Sequence, residues 1–203
     1  QLWRTSIYSS LNTSYDLWSG NASSKNIAYK YRYTPEPIIP GLKVNANISS
    51  SYFIYENGSS QNKISLSAGP TLVLGNFTRP FLDYTKLALT AGWTVKQGES
   101  PFDFDKAVDL ATLGLGITQQ IAGPLVINTG LEFNIDKGSE YYGKTINSRV
   151  EIQWKRRSYD LSLFYNPYRG MGGISIRLNG FNFDGPAVPF SSFKDIKNQP
   201  LIY

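Results

Sequence analysis

Carboxylates crowd one stretch of the chain: Glu99, Asp103, Asp105 and Asp109. Oxygen ligands at that density are what a Ca²⁺ ion needs, but the spacing lacks the central glycine and distal glutamate of an EF-hand loop. The stretch therefore reads first as a solvated loop leading into a strand. Gly114-Leu115-Gly116 offers backbone amides, yet no helix follows that could seat a phosphate. Asn47-Ile48-Ser49 and Asn76-Phe77-Thr78 match the glycosylation sequon, a tripeptide common by chance. Histidine and cysteine are absent. Ser-His-Asp and Cys-His catalysis are thereby excluded, as are disulfides and thiolate metal sites. We expect no enzyme, no catalytic residue, no metal and no cofactor.

The remaining charged side chains follow a rhythm. Arg149, Glu151, Gln153 and Lys155 hold alternate positions, as do Ser175 and Arg177; Lys86 and Lys96 share one parity, and Glu132 falls on another such register. The intervening positions are apolar. From Tyr84 to Lys96, one parity reads Thr85, Leu87, Leu89, Ala91, Trp93, Val95. The other reads Tyr84, Lys86, Ala88, Thr90, Gly92, Thr94, Lys96. Ala111, Leu113, Leu115 and Ile117 alternate with Thr112, Gly114, Gly116 and Thr118. Leu125, Ile127, Leu131, Phe133 and Ile135 alternate with Asn128, Gly130, Glu132, Asn134 and Asp136. A period of two places these sets on opposite faces of a strand.

The runs are roughly twice the usual length of about 5–6 residues. Such runs suit a tilted strand crossing a bilayer, with apolar residues toward lipid and polar ones toward a lumen. A Lys or Arg facing lipid at mid-membrane would cost about 2–4 kcal/mol. Lys86, Lys96, Glu132, Arg149, Glu151, Lys155 and Arg177 are therefore expected on the lumen side. They hydrate and cross-link a lumen, or they meet a ligand; residue types alone leave both readings open.

Composition agrees. The chain has 203 residues, 41% hydrophobic and 14% aromatic, with 14 Tyr and 4 Trp, types that favour lipid–water interfaces. No run is apolar and long enough for a transmembrane helix. The formal net charge is +5, but no basic cluster interleaves with aromatics, so no nucleic-acid partner is expected. The N-terminus, Gln1-Leu2-Trp3-Arg4, shows no signal-peptide pattern. Either a signal has been removed or the chain is a piece of a longer protein.

We expect strands near residues 2–11, 14–18, 26–34, 42–55, 62–74, 84–96, 108–121, 124–136, 144–156, 158–167 and 172–183. The fold class is all-β: an antiparallel transmembrane β-barrel with about ten or eleven strands in this chain, whole or part of a larger barrel. Residues 1–203 form one barrel domain or segment. The pattern is weaker over 1–41, and 184–203 form a C-terminal tail. Tight turns at Ala122-Gly123 and Arg157-Ser158 contrast with longer connections at 97–106 and 137–143. If the last strand ends in the periplasm, the tight turns are periplasmic, and 75–83 and the Pro-rich 34–41 become unusually long periplasmic links. Pro70 lies inside a strand, where it removes a ladder hydrogen bond and marks an edge, a bulge or a weakened seam.

Two resemblances follow. Gly173, Ile176 and Leu178 fit the G-x-x-Φ-x-Φ part of the terminal-strand signal by which outer-membrane barrels are recognised for insertion. Three blocks then carry a family likeness: Gly69-Pro70-Thr71 through Asp83-Tyr84-Thr85, SPFDFDKAVDLATLGLGITQQIAGPL from Ser100 to Leu125, and WKRRSYDLSLFYNP from Trp154 to Pro167 with the closing IRLNGFNF. Over roughly residues 60–185 the chain resembles the C-terminal β-barrel region of a cyanobacterial LptD-like outer-membrane family. The resemblance implies a bacterial outer-membrane location and a role in transporting lipopolysaccharide into the outer leaflet. It also implies membrane lipids, lipopolysaccharide, the barrel-assembly machinery and periplasmic transport proteins as partners. LptD barrels have more strands than this chain offers. The chain is then the C-terminal part of a longer barrel, or has lost transport and kept the scaffold. The alternative function is a small passive pore or a structural outer-membrane barrel.

Overall fold

The computed structural model describes residues 3–21, 33–34, 36–102 and 109–179. Among these residues nine strands form one sheet: β1 (Arg4–Ser19), β2 (Gly41–Tyr55), β3 (Ser60–Leu74), β4 (Thr85–Gly98), β5 (Ala111–Ala122), β6 (Leu125–Asn134), β7 (Thr145–Lys155), β8 (Tyr159–Asn166) and β9 (Met171–Leu178). Their order in space is their order in sequence, and every neighbouring pair is antiparallel. Among the described residues there is no helix, and none that could cross a membrane.

The expected segments 2–11 and 14–18 are one continuous strand. Asn12 and Thr13 pair with Asn47 and Ala46, and irregularity is confined to a register shift between Asp16 and Trp18. A bulge absorbs one residue without ending the strand. Most of the expected strand at 26–34, the end of the one at 172–183 and the tail at 184–203 lie outside the described residues. The other expected strands are present within a few residues of their expected bounds.

Turn chemistry sets the registers. Glu56-Asn57-Gly58-Ser59 closes β2 onto β3: Gly58 sits at φ 82°, its N–H donates to the Tyr55 carbonyl, and Asn57 Oδ1 accepts the Ser59 N–H at 3.0 Å. A left-handed residue after an Asx turn is where glycine is least costly.

Direct cross-strand partners share a face, so the pairings carry the alternation across the sheet. Leu72, Leu87 and Ile117 form one apolar row. Leu125, Trp154, Leu161 and Ile176 form another. This face is open to the surroundings: Leu89 is 39%, Trp93 64% and Ile174 74% exposed. The polar face is the concave one, and two grooves lie on it. The usual sidedness of a water-soluble sheet, apolar in and polar out, is inverted.

β1 contacts only β2, and β9 only β8, among the described residues. No described strand closes the sheet there. Eight successive antiparallel pairings make β1 and β9 run in the same direction.

Candidate functional site

The concave face is built from small and polar side chains. One groove, of about 430 Å³, is lined by Asn12, Asn45, Asn47, Ser67, Gly69 and Thr90, among others. Asn45 donates to Thr71 Oγ1 at 3.0 Å, and Asn47 donates to Asn12 Oδ1. The sequon asparagine Asn47 is thus engaged across the sheet. A second groove, of about 320 Å³, runs past Ala88, Thr90, Gly114, Gly116, Gly130, Glu132 and Arg149. Glycine and alanine on facing positions leave the space that larger side chains would fill.

Three of the expected lumen residues meet at the second groove. Arg149 and Glu132 line it. The Arg149 guanidinium pairs with Glu151 at 3.0 Å and lies 5.3 Å from the Phe164 ring centroid. Glu151 is buried, whereas Arg149 remains half open. Lys155 and Arg177 belong to a second cluster around Asp160: Lys155 Nζ is 3.5 Å from its carboxylate, and Arg177 is its direct cross-strand partner. Lys86 and Lys96 stand apart from both clusters. Lys86 pairs with Thr118 and Val73, and Lys96 with Lys63, whose Nζ lies 5.1 Å from the Phe53 ring.

Pro70 sits on the outward face of β3, exposed, opposite Val44 on β2. The β3–β4 ladder runs from Gln61↔Gly98 to Leu74↔Thr85 but omits Gly69 and Pro70. The register does not shift across the gap, since Ala68↔Ala91 and Thr71↔Ala88 lie on one continuous count. Pro70 therefore marks neither a bulge nor an edge. The two absent pairs are those that would use an N–H at residue 70. Gly69 belongs to the same feature: a Cβ there would lie 1.9 Å from the Leu89 carbonyl oxygen.

Gly173, Ile176 and Leu178 lie on the edge strand β9. Gly173 faces the concave side against Phe164, where a Cβ would come within 2.9 Å of the ring. Ile176 and Leu178 face outward and are exposed.

The carboxylate stretch assembles no ion site among the described residues. Asp109 accepts the Asn134 side-chain N–H at 2.6 Å, tying the entry of β5 to the end of β6. Asp103 and Asp105 lie outside the described residues. Asn76 of the second sequon donates to the Ile38 carbonyl at 3.0 Å.

Composition and alternation alone miss a folded cap at one end of the sheet. The connection from β3 to β4 turns inward: Phe77 and Tyr84 pack with Tyr33 and Val126, and with Ile38 and Val73 at the margin. The Asp83 carboxylate accepts the N–H groups of Thr78 at 2.8 Å and Arg79 at 3.0 Å, as well as the Thr78 hydroxyl. Gln120, fully buried, binds the same loop through both ends of its amide. Burial pushes the Tyr84 phenol above its ordinary pKa. The missed signal was the occurrence of Val73, Tyr84 and Val126 on the polar parity near one set of strand ends.

The chain belongs to a family described as "Protein of unknown function (DUF3769)", whose match spans residues 1–182. No curated protein and no solved structure matches it.

Proposed function

We propose that this chain is a transmembrane segment of an outer-membrane β-barrel of the LptD-like type, acting in the movement of lipopolysaccharide into the outer leaflet. The observation that carries the reading is the inverted sidedness of the sheet. Leu89, Trp93, Leu115, Leu131, Ile152 and Leu163 are exposed on one face, while Arg149, Glu151 and Glu132 occupy the other. From Leu87 to Val95 the outward row rises about 20 Å along a tilted strand, close to the apolar band of such barrels. Two free membrane edges would leave backbone N–H and C=O groups unsatisfied in lipid. This favours a barrel in which further strands cover the outer edges of β1 and β9. The sequence resemblance over residues 60–185 supplies the transport assignment.

In this reading the polar head of the glycolipid travels along the concave face, where the grooves offer Asn, Ser and Thr partners for sugar hydroxyls. Its acyl chains leave sideways through a weakly paired seam, for which the Gly69-Pro70 gap is the candidate.

A second reading, a structural or passive barrel, is favoured by the cap of Tyr33, Phe77, Tyr84 and Val126, which fills one end of the concave face. Depleting the protein in its own cells separates the two. Loss of surface lipopolysaccharide with accumulation at the inner side supports transport. Unchanged surface lipopolysaccharide with altered envelope integrity supports the scaffold. A native polypeptide far longer than 203 residues, resistant to heat unfolding on gels, is expected for the transporter.

A further inference from the structure

Arginine and aromatic residues flank the turn between β5 and β6. On one flank, the Gly123 N–H donates to the Pro80 carbonyl at 2.5 Å, and Gln120 Nε2 donates to the Arg79 carbonyl at 2.8 Å. These bonds hold Arg79-Pro80-Phe81 against the turn. On the other flank, the Lys155 N–H donates to the Pro124 carbonyl at 2.8 Å, which places Arg156 beside it. The Arg156 guanidinium lies 5.2 Å from the Trp154 ring centroid. Arg79 and Arg156 are both exposed. The nearby acids are engaged elsewhere: Asp83 with the Thr78 and Arg79 N–H groups, and Asp160 with Lys155.

The aromatic partners extend the outward face. Phe81 bridges Ala122, Ala122 pairs with Leu125, Leu125 with Trp154, and Trp154 with Leu161. One apolar row thus ends at Phe81, which is 65% exposed. Leu82 beside it, also exposed, is held at φ 46°, a conformation costly for a branched side chain. The surrounding hydrogen bonds impose it.

We propose that this rim seats the phosphate of an anionic glycerophospholipid, with Arg79 and Arg156 reaching it from opposite flanks of the β5–β6 turn. Phe81 and Trp154 enter the boundary between headgroups and acyl chains, as interfacial aromatics do. The inference rests on the membrane-barrel reading. This end carries the two shortest connections between the described strands, β5–β6 and β7–β8, beside the long 20–40 and 75–84; connections as short as these face the periplasm in bacterial barrels, and hence the phospholipid leaflet.

The test inserts the full-length protein into phosphatidylcholine vesicles containing phosphatidylglycerol and measures the association of spin-labelled phosphatidylglycerol relative to phosphatidylcholine. Arg79→Gln and Arg156→Gln should each lower the preference about fivefold, the factor matching the usual strength of one basic residue at an anionic surface. Lys137→Gln and Lys144→Gln, in the β6–β7 connection at the opposite end, should leave it unchanged. Insertion with no preference, or with equal losses in both pairs of variants, overturns the headgroup seat alone. So does a loss confined to lipid A when lipid A replaces phosphatidylglycerol. Failure to insert into any vesicle overturns the barrel reading, and the seat with it.

Discussion

Gln120 grips the loop that contains Asp83 at two points. Its Oε1 accepts the Asp83 N–H at 2.8 Å, and its Nε2 donates to the carbonyls of Arg79 and Gly123, each at 2.8 Å. Its own N–H donates to the Tyr84 carbonyl at 2.8 Å. A buried amide with these bonds satisfied ties the β3–β4 connection to β5, whereas a partly satisfied one would be costly. Gln120→Leu keeps the volume close and strands three backbone groups. We expect a loss on the order of 2–3 kcal/mol, localised to the cap. Hydrogen exchange should accelerate at residues 78–83 and remain unchanged in β7 to β9. Uniform acceleration, or none, would refute the role of Gln120 as the cap's anchor.

The two faces of β4 make opposite predictions for adjacent residues. Leu89 faces outward and pairs with Leu115, while Ala88 faces the groove and pairs with Gly116 and Thr71. Leu89→Arg should cost about 2–4 kcal/mol near the membrane midplane. Ala88→Arg places its guanidinium over small residues in a wet groove, where it can hydrate. Folded yield after insertion into vesicles should fall sharply for the first variant and modestly for the second. Equal yields would refute the assigned facing.

The strands were legible because their period of two is dictated by backbone geometry and their apolar parity by sidedness. Leu87, Leu89 and Trp93 share a face in any strand, whatever the tertiary contacts. The same parity assigns the charged residues to one face, but it does not give their grouping. Arg149 reaches Glu151 within its own strand, while Lys155 reaches Asp160 on β8, and only the register decides which strand supplies the partner. The cap was hidden for a different reason. Its loop is held through backbone groups, the Asp83 N–H and the Arg79 and Pro80 carbonyls, which carry no side-chain signature, and Phe77 adopts φ 59° against local preference. Tertiary hydrogen bonds overrode what the local sequence suggests.

Tyr84 supplies a pH test of the cap. Burial raises its phenol pKa in the folded state, so the neutral form is favoured there. A raised folded pKa contributes stability that is fully present below the unfolded value, about 10, and is lost as pH rises through the folded value. Tyr84→Phe removes this dependence while keeping the ring. The stability of the variant relative to the unsubstituted protein should therefore rise as pH passes above the ordinary tyrosine value of about 10. Taking this difference cancels the titration of the other tyrosines. A difference in urea midpoint that stays flat with pH would show that the Tyr84 ring is not desolvated by the cap.

Pro70 and Leu89 offer the sharpest test of the transport reading. The Leu89 carbonyl faces a residue with no N–H and packs against the bare Cα of Gly69. β3 otherwise pairs on both sides without a change of register. Pro70→Val restores the missing donor without altering the outward apolar character, so the backbone can complete the ladder. Exchange of the Leu89 and Thr90 amides should slow, since completed ladder bonds resist local opening. If the gap is the seam through which acyl chains leave, surface lipopolysaccharide should fall in cells carrying the variant at matched barrel abundance. Gly69 must stay as it is, because even an alanine Cβ would collide with the Leu89 oxygen. Slower exchange with normal surface lipopolysaccharide would show that the gap serves packing alone. The lateral exit would then belong to another strand pair, and the outer edges of β1 and β9, which no described strand covers, would be the next place to look.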